Sequence, residues 1–216
     1  MYKRQIENIH WLGHDSFRLD GSRTVYIDPW KLGAVAQPAD LILVTHDHFD
    51  HFSPRDIARL ATPRTTLIGP ASVTAQVEGV AAVTLSAGET ATVGGVTVTA
   101  VPAYNLDKFR RPGEVFHPRA AGGLGYIVEL DGRRIYHAGD TDAIPEMRDV
   151  RCDVALLPVS GTFVMTAEEA AEACRMISAA AAAPMHFGDI VGTAADAARF
   201  ESLCGIPVTA LPREQG

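Results

Sequence analysis

Short apolar runs set the rhythm of this chain. Ser16–Asp20 and Thr24–Asp28 read as strands flanking Asp20-Gly21, a pair suited to a tight hairpin turn. Thr90–Val93 and Val96–Val101 flank Gly94-Gly95 in the same way, and Tyr126–Leu130 and Arg134–His137 flank Asp131-Gly132. Leu41-Ile42-Leu43-Val44-Thr45 is continuously apolar, as expected of a strand buried on both faces, and Val154–Val159 is a second such run. Helical signals fall between them. Ser53-Pro54-Arg55-Asp56 offers an N-cap, a proline at the first helical position and an acid behind it. Thr166-Ala167-Glu168-Glu169 is a capping box, and Ala170, Ala173, Cys174 and Ile177 then share one helical face. Thr193 to Asp196 caps a last helix ending near Leu203. Hairpins mixed with helical crossovers predict an α/β (α+β) chain whose sheets carry helices on their outer faces.

Composition narrows the class. At 216 residues with no low-complexity linker, residues 1–216 are expected to form a single domain large enough to bury a core without disulfides. A net charge of −7 argues against a nucleic-acid surface. The start, Met1 to His10, has basic residues but no apolar run behind them, so no secretory signal is expected. Ala179 to Ala183 is too short for a membrane span and ends at Pro184. Cys152, Cys174 and Cys204 are odd in number and far apart, which suits free thiols in a reducing compartment. A cytoplasmic protein acting on a small molecule, with no membrane or nucleic-acid partner, is the expectation; homo-oligomerisation is left open.

The strongest chemical signal is His46-Asp47-His48-Phe49-Asp50-His51. A chance match to its two-apart histidines followed by Asp-His is on the order of one in a thousand for this composition. Side chains two apart on an extended segment point the same way, so His46 and His48 can grip one metal. The chain then turns, and Asp50 and His51 can address a second position. Imidazole and carboxylate together suit zinc, manganese or iron.

This run resembles the HxHxDH signature of the metallo-β-lactamase fold, and further pieces follow in the order of that family. Ile27-Asp28-Pro29 lies upstream. Tyr136-His137-Ala138-Gly139-Asp140-Thr141 resembles the strand end whose aspartate bridges two metals, and Pro184-Met185-His186-Phe187-Gly188 the late strand whose histidine completes the second site. The resemblance runs from Trp11-Leu12-Gly13-His14 to His186 and is nearest to compact metal-dependent hydrolases related to L-ascorbate-6-phosphate lactonase. It implies a four-layer αββα sandwich of two mixed sheets with ligands on loops at one edge. It also implies two divalent ions, zinc first, with manganese or iron as alternatives. His46 and His48 would hold metal one, Asp50, His51 and His186 metal two, and Asp140 would bridge. His117 is the expected third histidine of metal one, although Phe116-His117-Pro118-Arg119 lacks the family's usual context; Asn105 or a water is the alternative.

The other histidines carry less. His137 is one residue out of phase along its strand and is expected to support the site from behind. His14 sits on an early turn at the pocket border, and His10 is an ordinary strand or surface residue. Tyr104 to Pro112 reads as a polar, basic loop, with Lys108 to Arg111, leading towards His117. A hydroxide shared by two cations would attack a small anionic ester, lactone or phosphodiester, with Asp50 holding the nucleophile and passing its proton on. The rivals are a nuclease or phosphodiesterase of the same fold and a non-catalytic metal-binding or regulatory domain. A flavo-di-iron protein would be expected to carry Glu in place of His48, and a glyoxalase-type thioesterase a further helical part beyond Gly216.

Overall fold

A computed structural model of the chain describes residues 6–34 and 36–214; Met1 to Gln5, read above for a leader, and Gly216 lie outside the described residues. The first sheet is formed by β1 (Ile9–Gly13), β2 (Ser16–Leu19), β3 (Val25–Ile27), β4 (Leu41–Leu43), β5 (Thr66–Gly69) and β6 (Ala81–Thr84), in chain order. β1 to β3 pair antiparallel; β3 to β6 pair parallel. The second sheet begins with the hairpin β7 (Thr90–Val93) and β8 (Val96–Pro102). β9 (Phe109–Arg111) and β10 (Glu114–Val115) form a separate small hairpin. β11 (Leu124–Leu130) then pairs antiparallel with β8 and with β12 (Arg133–His137), and β13 (Arg151–Pro158) and β14 (Ser178–Met185) continue the sheet in parallel.

Alternation along the strands makes the layers. Val25, Ile27, Leu41 and Leu43 face inward and join Val98, Tyr126, Val128 and Ile135 of the other sheet in one core. Their neighbours Tyr26, Ile42 and Val44 face outward with Leu67, under α1 (Pro54–Leu60) and α2 (Ala71–Thr74). On the far side α3 (Ala167–Met176) packs on β13 and β14, and α4 (Ala194–Leu203) on α3 and β14. The result is the four-layer αββα sandwich of two mixed sheets. The expected caps are in place: Ser53 accepts from the Asp56 amide, and Thr166 with Glu169 and Thr193 with Asp196 form capping boxes.

Four elements differ from the sequence pattern. β5 and β6 carried no strand signal strong enough to read. β14 is built from Ala179 to Ala183, residues of low β-propensity, and is set by tertiary context: it pairs with β13 from Arg151↔Ser178 to Pro158↔Met185 beneath α3. The segment read as a loop from Tyr104 to Pro112 contains β9, turned back by Gly113 at φ +79°. The outer edge of β14 is not bare: the Ala182 amide donates to Pro207 O at 2.9 Å, and the Thr209 amide donates to Ala182 O at 3.0 Å. Cys152 and Cys174 are buried and Cys204 half-buried, all as free thiols. Among the described residues no helix is long and apolar enough to cross a membrane.

Candidate metal centre

The parallel strands deliver their chemistry at one edge of the sandwich. Asp28 follows β3, Thr45 and His46 follow β4, Asp140 follows β12, Ser160 follows β13 and His186 follows β14. The β1–β2 turn adds His14 and Asp15. Gly139, just before Asp140, has φ +65°, and a Cβ there would lie 2.6 Å from Leu124 O, so only glycine lets the strand end pass this close to β11. His14, Asp28 and His186 hold left-handed φ angles of 50°, 46° and 58°. Such angles cost of order 1–3 kcal/mol each and persist only where surrounding contacts enforce them. Those contacts are present: the Trp11 indole and the His186 amide both donate to His14 O, at 2.8 and 3.2 Å. The Thr45 amide and hydroxyl donate to the Asp28 carboxylate at 2.8 and 2.7 Å.

The side chains meet in two adjoining groups. His46, His48 and His117 each bring one ring nitrogen within 4.8 Å of the others. A step deeper, one ring nitrogen each of His14, His51 and His186 and a carboxylate oxygen of Asp15 do the same. Asp140 lies between, 3.3 Å from His117 Nε2, 3.4 Å from His51 Nε2 and 3.5 Å from His186 Nε2. Asp50 stands at the deeper group, its Oδ2 3.2 Å from His14 Nε2 and 4.0 Å from His51 Nε2. All seven residues singled out by the motif and the resemblance therefore converge.

Hydrogen bonds on the outer ring nitrogens fix which lone pairs face inward. Thr45 Oγ1 spends its proton on Asp28, so it accepts from His46 Nδ1 at 3.0 Å. His51 Nδ1 donates to the Asp28 carboxylate at 2.7 Å. Ser160 Oγ donates to Thr162 O and so accepts from His186 Nδ1 at 2.9 Å. The Asn105 amide nitrogen donates to Asp142 and to Phe163 O, which leaves its oxygen to accept from His117 Nδ1 at 3.0 Å. Each of these four imidazoles then turns its Nε2 to the centre. Asn105 thus orients His117 and does not replace it.

Five of the inner atoms lack partners. His46 Nε2, His51 Nε2, Asp140 Oδ1 and both Asp15 oxygens are buried without a hydrogen bond. Buried polar groups are rarely left so. Acceptors facing one another, backed by second partners that fix each imidazole, are the donor set of a divalent-cation site. The electrostatics agree. Burial and His51 hold His46 well below the usual imidazole range, and burial holds His117 below it. Burial opposes the charge on His51, yet Asp140 and Asp28 outweigh it and raise that imidazole well above its usual pKa. Burial likewise opposes Asp140, but His51 and His186 keep it well below the ordinary carboxylate range. The pocket calls for positive charge, which a cation supplies more fully than one proton.

The first group opens outward. A cavity of about 40 Å³ is lined by His46, His48, His117, Asp140, Phe116 and Gly123. It shares walls with a groove of about 480 Å³ lined by Leu85, Pro102, Tyr104, Arg119, Leu124 and Glu146, among others. In the basic loop Lys108 pairs with Glu169 at 2.8 Å and Arg111 with Glu114, while Arg110 is exposed; beyond it Arg119 pairs with Glu146 at 2.8 Å. His137 supports the centre from behind, donating to Asp15 O at 2.9 Å and accepting from the Gly139 amide. His10 lies on β1 and pairs with Asp20 and Glu214. Sequence reasoning missed Asp15 and the orienting roles of Asp28, Thr45 and Ser160. The readable sign was the turn Gly13-His14-Asp15-Ser16 between two strands.

Known proteins resemble the whole arrangement. The model of the beta-lactamase superfamily domain matches residues 8–186. A UPF0173 metal-dependent hydrolase of Methanoculleus marisnigri is 40% identical over 182 residues, 82% of this chain and 79% of that protein. Another, from Pyrococcus abyssi, is 35% identical and spans 91% of this chain and 92% of its own. The crystal structure of a Parabacteroides distasonis protein superposes with a TM-score of 0.82 at 33% identity, covering 94% of this chain and 91% of that one.

Proposed function

The chain belongs to the UPF0173 metal-dependent hydrolases of the beta-lactamase superfamily, and on that premise we propose that it hydrolyses a small ester, lactone or phosphodiester at a two-cation centre. The observation that carries this reading is the set of converging atoms, His46 Nε2, His51 Nε2, Asp140 Oδ1 and both Asp15 oxygens, that are buried without a hydrogen-bond partner. His46, His48 and His117 would hold one cation, His51, His186 and Asp50 the other, with Asp140 shared. Zinc suits the imidazole-rich position, with manganese and iron as alternatives. Two divalent ions bound there supply hydroxide near neutral pH and offset charge on the attacked oxygen.

The chain's own residues do the rest. Asp50 is the carboxylate of the centre that reaches solvent, with its side chain 13% exposed against 4% for Asp140. Burial resists its charge, but the His14 hydrogen bond and the His51 imidazole keep it ionised, below the usual carboxylate range. It is placed to hold the attacking water in line and to move its proton outward. The small cavity takes the reacting bond. The apolar groove beside it, within the ~300–1,000 Å³ typical of small-molecule sites, takes the body of the substrate. An anionic group on the substrate would be met by the cations of the centre.

Elemental analysis of protein purified without chelator is expected to give about two divalent ions per chain, about 3.5–4 Å apart in a crystal. Turnover on a panel of lactones, esters and phosphodiesters should vanish with chelator and return with metal. A single ion at saturating metal, or turnover indifferent to chelator, overturns the reading.

A further inference from the structure

Asp15 is the one carboxylate at the centre that neither the motif nor the resemblance explains. Its side chain is fully buried. Its two oxygens have no hydrogen-bond partner. Oδ2 is ringed by three imidazole nitrogens, at 3.6 Å from His51 Nε2, 3.7 Å from His14 Nε2 and 3.8 Å from His186 Nε2. These distances are too long for hydrogen bonds, which draw such atoms to about 2.7–3.2 Å. They match donors that share an ion, since groups about 2.0–2.2 Å from one cation lie roughly 3–4 Å from each other.

The hydrogen bonds of the rings point the same way. His51 Nδ1 and His186 Nδ1 are bonded to Asp28 and Ser160. Neither ring brings Nε2 within hydrogen-bond distance of Asp15. His14 faces Asp50 at 3.2 Å, the closer carboxylate. A buried carboxylate with no hydrogen-bond partner is costly unless a cation stands beside it. The turn that carries Asp15 is also fixed from three sides: His137 donates to Asp15 O, the Trp11 indole and His186 amide donate to His14 O, and the Trp30 amide donates to Ser16 Oγ at 2.9 Å. So much backbone anchoring would be unneeded for a side chain with nothing to hold.

We infer that Asp15 is a direct carboxylate ligand of the deeper cation, together with His51, His186, Asp50 and Asp140. The inference rests on the two-cation reading above. It makes the two positions chemically unlike. One has three imidazoles and a shared carboxylate; the other has two imidazoles and three carboxylates, more oxygen-rich and more negative.

The test compares the wild-type chain with Asp15→Asn and Asp15→Ala, each stripped by chelator and titrated with Zn²⁺ alone by calorimetry and elemental analysis. Melting temperatures are taken before and after loading. The expected result is a first equivalent bound within about twofold of wild type and a second weakened more than the ~10–100-fold typical of an outer-shell partner. Stripped Asp15→Asn should melt no lower than stripped wild type, because it loses no hydrogen bond. Metal should then raise its melting temperature less than it raises that of wild type. A second equivalent bound as in wild type overturns the role of Asp15, as does a fall in the melting temperature of the stripped variant with metal affinity unchanged. If wild type itself takes up fewer than two ions, it is the two-cation reading that fails.

Discussion

The two ends of the metal centre are built from similar side chains and differ in their access to water. At the outer end His48 is exposed and the cavity beside it opens into the groove. At the inner end His14, Asp15 and His51 are wholly buried and His186 is 1% exposed. The outer end is held largely by one loop pair, Asn105 with His117. The inner end is locked by β1–β2, β3, β13 and β14 at once. Histidines and carboxylates are therefore presented once in a wet, accessible setting and once in a dry, rigid one. The dry end suits permanent retention of a cation; the wet end suits exchange with substrate and solvent.

The most damaging change should be the one that strikes both ends. Asp140→Asn removes the negative charge between them and is expected to cut kcat/KM by more than the ~10–100-fold of an outer-shell loss, with circular dichroism unchanged. Near-normal turnover would reduce Asp140 to a turn residue. Next, His48→Gly and His51→Gly should both lose most activity, but added imidazole should restore only the first, because only His48 is exposed. Equal rescue, or none for either, erases the contrast. Asp28→Asn should act from behind, costing about 10–100-fold in affinity at the inner position by weakening the hold on His51 Nδ1, as read by competition with a chromogenic chelator.

A smaller effect separates the ends by charge. In the chelator-stripped protein, His51 has a pKa raised by Asp140 and Asp28 against burial. It keeps its proton above the ordinary ~6.5 of imidazole, so the stability it gives is present below that pH and lost as pH rises through its folded pKa. His46 and His117, lowered by burial, are neutral at pH 7. Metal uptake at pH 7 should therefore expel about one proton per chain, chiefly from the inner end. Binding enthalpies that do not vary with buffer ionisation enthalpy would contradict this. The smallest change is expected for Arg119→Ala in the groove. That side chain is 68% exposed and paired with Glu146, so stability should move by less than about 1 kcal/mol, with any loss appearing in KM.

The run His46 to His51, which serves both ends, was the part of the centre most easily read from sequence. His46 and His48 lie two apart on a strand exit, and such local spacing survives in the sequence. Hairpin turns and the caps at Ser53, Thr166 and Thr193 were legible for the same reason. His117, Asp140 and His186 are scattered, and their order was visible only through resemblance to a family. Asp15 and Asp28 escaped because their importance lies in what folds over them. Asp28 matters through Thr45 and His51, and Asp15 through rings brought from β4 and β14. β14 was obscured by its alanines, whose strand state depends on β13 and α3.

The short backbone clasp on β14 has a bearing on how the molecule behaves in crowded solution. An edge strand made of alanines has neither charges nor bulky side chains to repel a second copy, and its free amides and carbonyls would template pairing with another chain. Pro207 to Thr209 occupies that ladder at Ala182. The tail therefore acts as a guard against edge-to-edge aggregation, and shortening the chain before Ile206 should cost solubility before it costs metal.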